Sequence, residues 1–104
     1  MEHFFEEEFK EKVLDSELPV LMDFYANWCG PCRALGPHVK NLAESHKDKL
    51  KVIQVDCDEC PNLAAEFEIK TIPTLVIMKN GEEVAKHIGT INKDNLIKFV
   101  EKHI

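Results

Sequence analysis

The sequence predicts an α/β fold, a mixed sheet with helices on both faces. Three observations carry the prediction. Segments of helical period alternate with short apolar runs along the whole chain. The first two apolar runs flank a long helical segment, the order of a right-handed βαβ unit with parallel strands. The last two flank Asn80-Gly81, the strongest short hairpin signal, and so run antiparallel.

Each element has its own signal. Phe5, Phe9 and Val13 recur at intervals of four and predict a helix over Phe5 to Leu14. Pro19 separates it from a strand over Val20 to Ala26. That strand is apolar on both faces apart from Asp23, which suits a central, doubly covered position. From Pro31, the residues Leu35, Val39, Leu42, Ala43 and His46 line one side of a helix, with a kink expected at Pro37. Lys51 to Asp56 is the next strand. Pro61 to Phe67 is a short helix with proline at its first position. Leu75 to Met78 and about Glu83 to Ile88 form the hairpin. Asn92 caps a last helix whose buried face is Leu96, Ile97, Val100 and Ile104.

Bulk properties narrow the function. At 104 residues the chain reads as one domain, residues 1–104, with one modest core. A net charge of −6 with no basic cluster argues against nucleic acid as a partner. No apolar run approaches the roughly 20 residues of a membrane span. The acidic start, Met1 to Glu6, lacks the basic and apolar regions of a secretory signal, so a cytoplasmic location is expected. In a reducing compartment a Cys-x-x-Cys pair is catalytic or metal-binding rather than structural. The acidic runs Glu6 to Glu8 and Asp56 to Glu59 read as solvated faces and helix starts.

Trp28-Cys29-Gly30-Pro31-Cys32 lies at the junction of the first strand and the long helix. The first N–H groups of a helix have no internal partner and favour negative charge. That lowers the Cys29 pKa and makes it the attacking thiolate. Cys32, one turn further on, reaches the same sulfur. Gly30 permits a tight turn and Pro31 starts the helix. Trp28 offers a flat contact for a partner. Asp23 is a lone carboxyl in an apolar strand, so burial raises its pKa and suits it to proton transfer at the thiol pair.

These residues resemble the thioredoxin family. Asp-Phe-Tyr-Ala-Asn leads into Trp-Cys-Gly-Pro-Cys, and Pro37, Ile72-Pro73-Thr74, Asn80-Gly81 and Gly89 follow in order over essentially the whole chain. The resemblance implies a thioredoxin fold, a central mixed sheet of four to five strands flanked by four helices. It implies a monomeric thiol–disulfide oxidoreductase that reduces protein disulfides, with no cofactor beyond the Cys29–Cys32 disulfide. Cys29 would be the nucleophile, Cys32 the resolving thiol, and Asp23 the proton acceptor for Cys32. Pro73 would be cis. Trp28, Gly30, Pro31, Ile72, Pro73, Ile88, Gly89 and Thr90 would form the contact surface for disulfide-bearing target proteins. A thioredoxin reductase, flavin/NADPH or ferredoxin-linked, would return the electrons. The chain departs from the family pattern at Gln54, where many members carry lysine beside the buried Asp, and at Tyr25 and Arg33.

Cys57 and Cys60 form a second Cys-x-x-Cys pair. With the first it resembles a four-cysteine zinc spacing, although the intervening stretch is longer than usual. A zinc-binding module and a redox-independent interaction subunit are the alternatives. Cys57 reads as a small buried hydrophobe. Cys60, just before Pro61, is a candidate helix N-cap, which would lower its pKa, and it reads either as a redox-sensitive regulatory thiol or as an inert surface thiol. The five histidines show no ligand spacing.

Overall fold

The computed structural model describes residues 1–104. Four strands form one sheet: β1 (Val20–Tyr25), β2 (Lys51–Asp56), β3 (Thr74–Lys79) and β4 (Glu82–Ile88), in the spatial order β2-β1-β3-β4. β1 pairs with β2 in parallel and with β3 antiparallel, and β3 pairs antiparallel with β4. This is the expected mixed sheet, with β1 central and buried along nearly its whole length. Asn80 and Gly81 both take positive φ, 54° and 79°, as a two-residue hairpin of matching twist requires.

Strand alternation divides the core into two layers. Val20, Met22 and Phe24 of β1 face one side, where they pack with Val76, Phe4, Val13 and Leu63. Leu21 faces the other side, with Leu75, Ile77, Leu35, Val39, Leu96 and Val100. That second layer is covered by α1 (Gly30–Ser45) and α3 (Lys93–Glu101). α1 runs unbroken through Pro37 and buries Cys32, Leu35, Val39 and Leu42. Asn92 caps α3, its side chain accepting the Asn95 N–H at 2.8 Å. The short α2 (Pro61–Glu66) lies on the first layer.

The N-terminal segment departs from its prediction, so only three regular α-helices flank the sheet. It forms a 3₁₀ turn over Glu6–Glu8 and then a wide π turn over Lys10–Leu14. Phe5 is 49% exposed, and the buried anchors are Phe4 and Val13, with Phe9 packed beside them. Phe4 precedes the turns and Phe5 is extended at the N-cap, so Phe4 and Phe9 do not share one regular helix. The i→i+5 bonding belongs to the second turn, where the Asp15 N–H donates to the Lys10 carbonyl at 2.9 Å.

Candidate redox site

The site begins where β1 leaves the sheet. Tyr25 ends the strand, Ala26 is buried, and Cys29 takes the N-cap position of α1 with extended backbone. Its Sγ accepts the Cys32 N–H at 3.2 Å. One of the unsatisfied donors of the helix start thus points at this sulfur, the local condition that favours a thiolate. Cys29 and Cys32 stand as a disulfide pair, Cα to Cα 5.3 Å. Gly30 and Pro31 occupy the first exposed turn between them.

The two sulfurs face different surroundings. Cys29 Sγ lies 3.9 Å from the Ile72 carbonyl oxygen, and Ile72 and Tyr25 pack on the small cluster of Ala26, Cys29 and Cys32. The Ile72–Pro73 peptide bond is cis, as the resemblance implied. The Gly89 N–H donates to the Pro73 carbonyl at 2.9 Å, which brings the end of β4 beside this loop. Gly89 itself has φ 95°, a conformation that side chains resist. The rim is open: Trp28 is 70% exposed and Ile88 63% exposed, and Thr90 is exposed as well. The Trp28 indole N–H donates to Asp58 Oδ2 at 3.0 Å, which ties the exposed ring to the loop after β2.

Cys32 looks inward. It lines a cleft of about 350 Å³ together with Asp23, Arg33, Gly36, Lys40 and Gln54. Asp23 is 1% exposed and its register partner on β2 is Gln54, as the spacing predicted. Burial pushes the Asp23 carboxyl up to about 6, and a hydrogen bond from the Gln54 amide at 3.5 Å offsets this in part. Asp23 Oδ1 has no hydrogen-bond partner. A buried carboxyl with one orphaned oxygen is poised to hold a proton rather than a charge.

Sequence reasoning missed Gly36, Lys40 and Asp58. Cys32, Gly36 and Lys40 stand four residues apart, the stacking interval of a helix face, so that signal was present. A Cβ at Gly36 would come within 3.9 Å of the Gln54 amide, so glycine leaves the cleft open there. Nothing in the sequence pairs Trp28 with Asp58, since they lie on different loops.

The expectation for Cys60 is overturned. Its thiol is fully buried against the first core layer. Burial and the nearby Glu6 carboxylate push its pKa up to about 11. Cys60 does sit at the N-cap of α2, but its side chain accepts no hydrogen bond there. Glu6 does the capping instead: its carboxylate accepts the Leu63 N–H at 2.7 Å and the Asn62 side-chain amide at 3.3 Å. The Cys57 thiol is likewise raised to about 11, chiefly by burial. The zinc reading is not favoured, as no group of three His, Cys, Asp or Glu side chains is placed to hold a metal ion.

Comparison with known proteins agrees with this geometry. The family model described as Thioredoxin matches residues 1–102. The chain is 47% identical to a thioredoxin of Synechocystis over 92% of its own length and 90% of that protein's. It is 46% identical to thioredoxin 1 of Nostoc, over 92% of its length and 90% of that protein's. It is 45% identical to the chloroplastic M-type thioredoxin of Chlamydomonas reinhardtii, over 92% and 69% of the respective chains.

Proposed function

Because the chain belongs to the thioredoxin family and is a thiol–disulfide oxidoreductase of protein disulfides, we propose how its residues divide that work. Cys29 is the nucleophile. In the reduced protein its thiolate attacks one sulfur of a target disulfide, and the other target sulfur leaves as a thiolate. Cys32 then gives up its proton and attacks the Cys29 sulfur of the mixed disulfide. The second target thiol is released, and the chain is left with the Cys29–Cys32 disulfide. Two electrons have passed to the target, carried by the cysteine pair alone.

Asp23 accepts the Cys32 proton in the second step. The observation that carries this division is the shared cleft, which Asp23 lines with Cys32 and not with Cys29. Trp28, Gly30, Pro31, Ile72, Pro73, Ile88, Gly89 and Thr90 form the target-facing rim. The Ile72 carbonyl beside Cys29 gives an extended target backbone a place to bond, with little demand on target sequence. A thioredoxin reductase, flavin/NADPH or ferredoxin-linked, recognises the same rim and restores the dithiol. A reducing compartment such as the cytoplasm suits this cycle.

The test is dithiothreitol-driven reduction of a disulfide protein. The wild-type chain accelerates it, Cys29→Ser does not, and Cys32→Ser accumulates a mixed disulfide through Cys29. No acceleration over dithiothreitol alone would overturn the reading. Addition of each reductase class in turn identifies the donor.

A further inference from the structure

The largest concavity of the molecule lies outside the redox site. It is a groove of about 1000 Å³ between β4 and α3. Its walls carry Lys98, Lys102, His87 and His103 around the Phe99 ring, and no carboxylate lines it. That is notable in a chain with 19 acidic and 13 basic residues. Glu101, the acid between these lysines in sequence, is drawn away by the His46 ring, 3.1 Å from its carboxylate. Phe99 sits edge-on between His87 and His103, with ring centroids 6.0 and 5.6 Å away. Lys98 and Lys102 are exposed, one helical turn apart.

The floor of the groove is an open sheet edge. β4 is the outermost strand and the longest, at seven residues. Proteins commonly guard such an edge with a lysine. Lys86 does not serve here, since its ammonium is tied to the Phe67 carbonyl at 3.0 Å on the other face of the sheet. On that other face Ile88 is 63% exposed, whereas Val84, at the bulge between β3 and β4, is 43% exposed and lines the groove. The lysines of α3 thus flank one side of β4, while β4 itself carries Glu82 and Glu83 at its hairpin end and the exposed Ile88 at its redox end.

The groove is continuous with the redox rim. Thr90 lines it, and the Thr90 carbonyl lies 3.1 Å from the His87 ring nitrogen. We propose that this groove is a second docking surface for disulfide-bearing target proteins. An extended segment of the target adds to the free edge of β4 as a fifth strand. Its acidic side chains turn toward Lys98 and Lys102, and the alternate apolar ones toward Ile88 on the opposite face. The inference rests on the oxidoreductase reading for its biological use, but not for the binding itself.

The experiment uses the whole chain and three peptides that share one disulfide core. One is the bare core, one carries a segment of alternating Glu and Val, and one carries a segment of alternating Lys and Val. The Glu-Val extension lowers KM roughly fivefold relative to the Lys-Val extension, the effect of two exposed charge pairs, with kcat unchanged. Lys98→Glu with Lys102→Glu removes that difference and leaves turnover of the bare core as it was. A cysteine-free, fluorescently labelled Glu-Val segment reads binding by anisotropy without any turnover. Methylation of its alternate backbone nitrogens weakens that binding if strand addition is the mode. Equal KM values for the two extensions, or a difference that survives the charge reversal, would overturn the proposal. Loss of turnover of the bare core while the labelled segment still binds would fault the oxidoreductase reading and leave the docking surface standing.

Discussion

Asp23 holds a carboxyl that folding has taken out of water, and the consequence is measurable. The folded group keeps its proton up to about pH 6, whereas a free aspartate carboxyl titrates at 3.8. Between these values the folded state binds more protons than the unfolded chain, so stability falls as pH rises. The contribution is complete below the lower value and lost above the upper one. At neutral pH the burial leaves the protein about 3 kcal/mol less stable than a neutral side chain there would. Asp23→Asn should therefore raise the urea midpoint at about pH 8 and change it little below about pH 4. It should also slow release of the mixed disulfide. Gln54→Lys should lower the Asp23 titration midpoint, because an ammonium favours the carboxylate where an amide only bonds it weakly. Carbon-detected NMR titration checks this, and an unchanged midpoint would count against it. Cys60 gives the converse case. Buried and raised to about 11, it should resist iodoacetamide and mild peroxide in the folded protein and react after unfolding.

At the scale of elements, α1 and the N-terminal segment each accept a local disadvantage for the sake of their surroundings. Gly36 lies inside α1, where glycine costs about 1 kcal/mol relative to alanine. The new methyl of Gly36→Ala meets only an ordinary contact with Gln54. That substitution should raise Tm by roughly 4–8 °C while narrowing the cleft and slowing the Cys32 step, which thermal melts and single-turnover kinetics separate. Glu6, from the irregular N-terminal turns, serves the start of α2. Glu6→Ala should cost about 1 kcal/mol as a lost cap and lower the Cys60 pKa, since both the capping contact and the neighbouring negative charge disappear. With Glu6 bonding the first turn of α2, the Cys60 side chain packs into the first core layer.

At the scale of the molecule, both hydrophobic layers draw on β1, β2 and β3 of one sheet, so neither has a sheet of its own. Leu75 and Val76 are neighbours in sequence on opposite faces of β3, and both are fully buried. Leu75→Ala should cost about 2–5 kcal/mol, and Val76→Ala should lower the same transition rather than a second one. Coincident melts by near- and far-UV circular dichroism check this and with it the expectation of a single domain.

Every strand and all three regular helices were legible in the sequence, because hydrophobic period and turn residues are local properties. The cysteine pair at the head of α1 was legible for the same reason, and Asp23 with Gln54 followed from strand spacing. The chain order by itself thus determined the mixed sheet and the placing of the redox pair at a strand-to-helix junction. Tertiary structure alone decided what surrounds each of these residues. It put Glu6 on α2 and turned Cys60 from a capping thiol into a buried one. It wound the N-terminal segment into 3₁₀ and π turns in place of a regular helix, placed Asp58 on Trp28, and left the edge of β4 open beside a cationic groove. Each of these depends on which distant groups the fold brings side by side, and burial and charge act through space rather than along the chain.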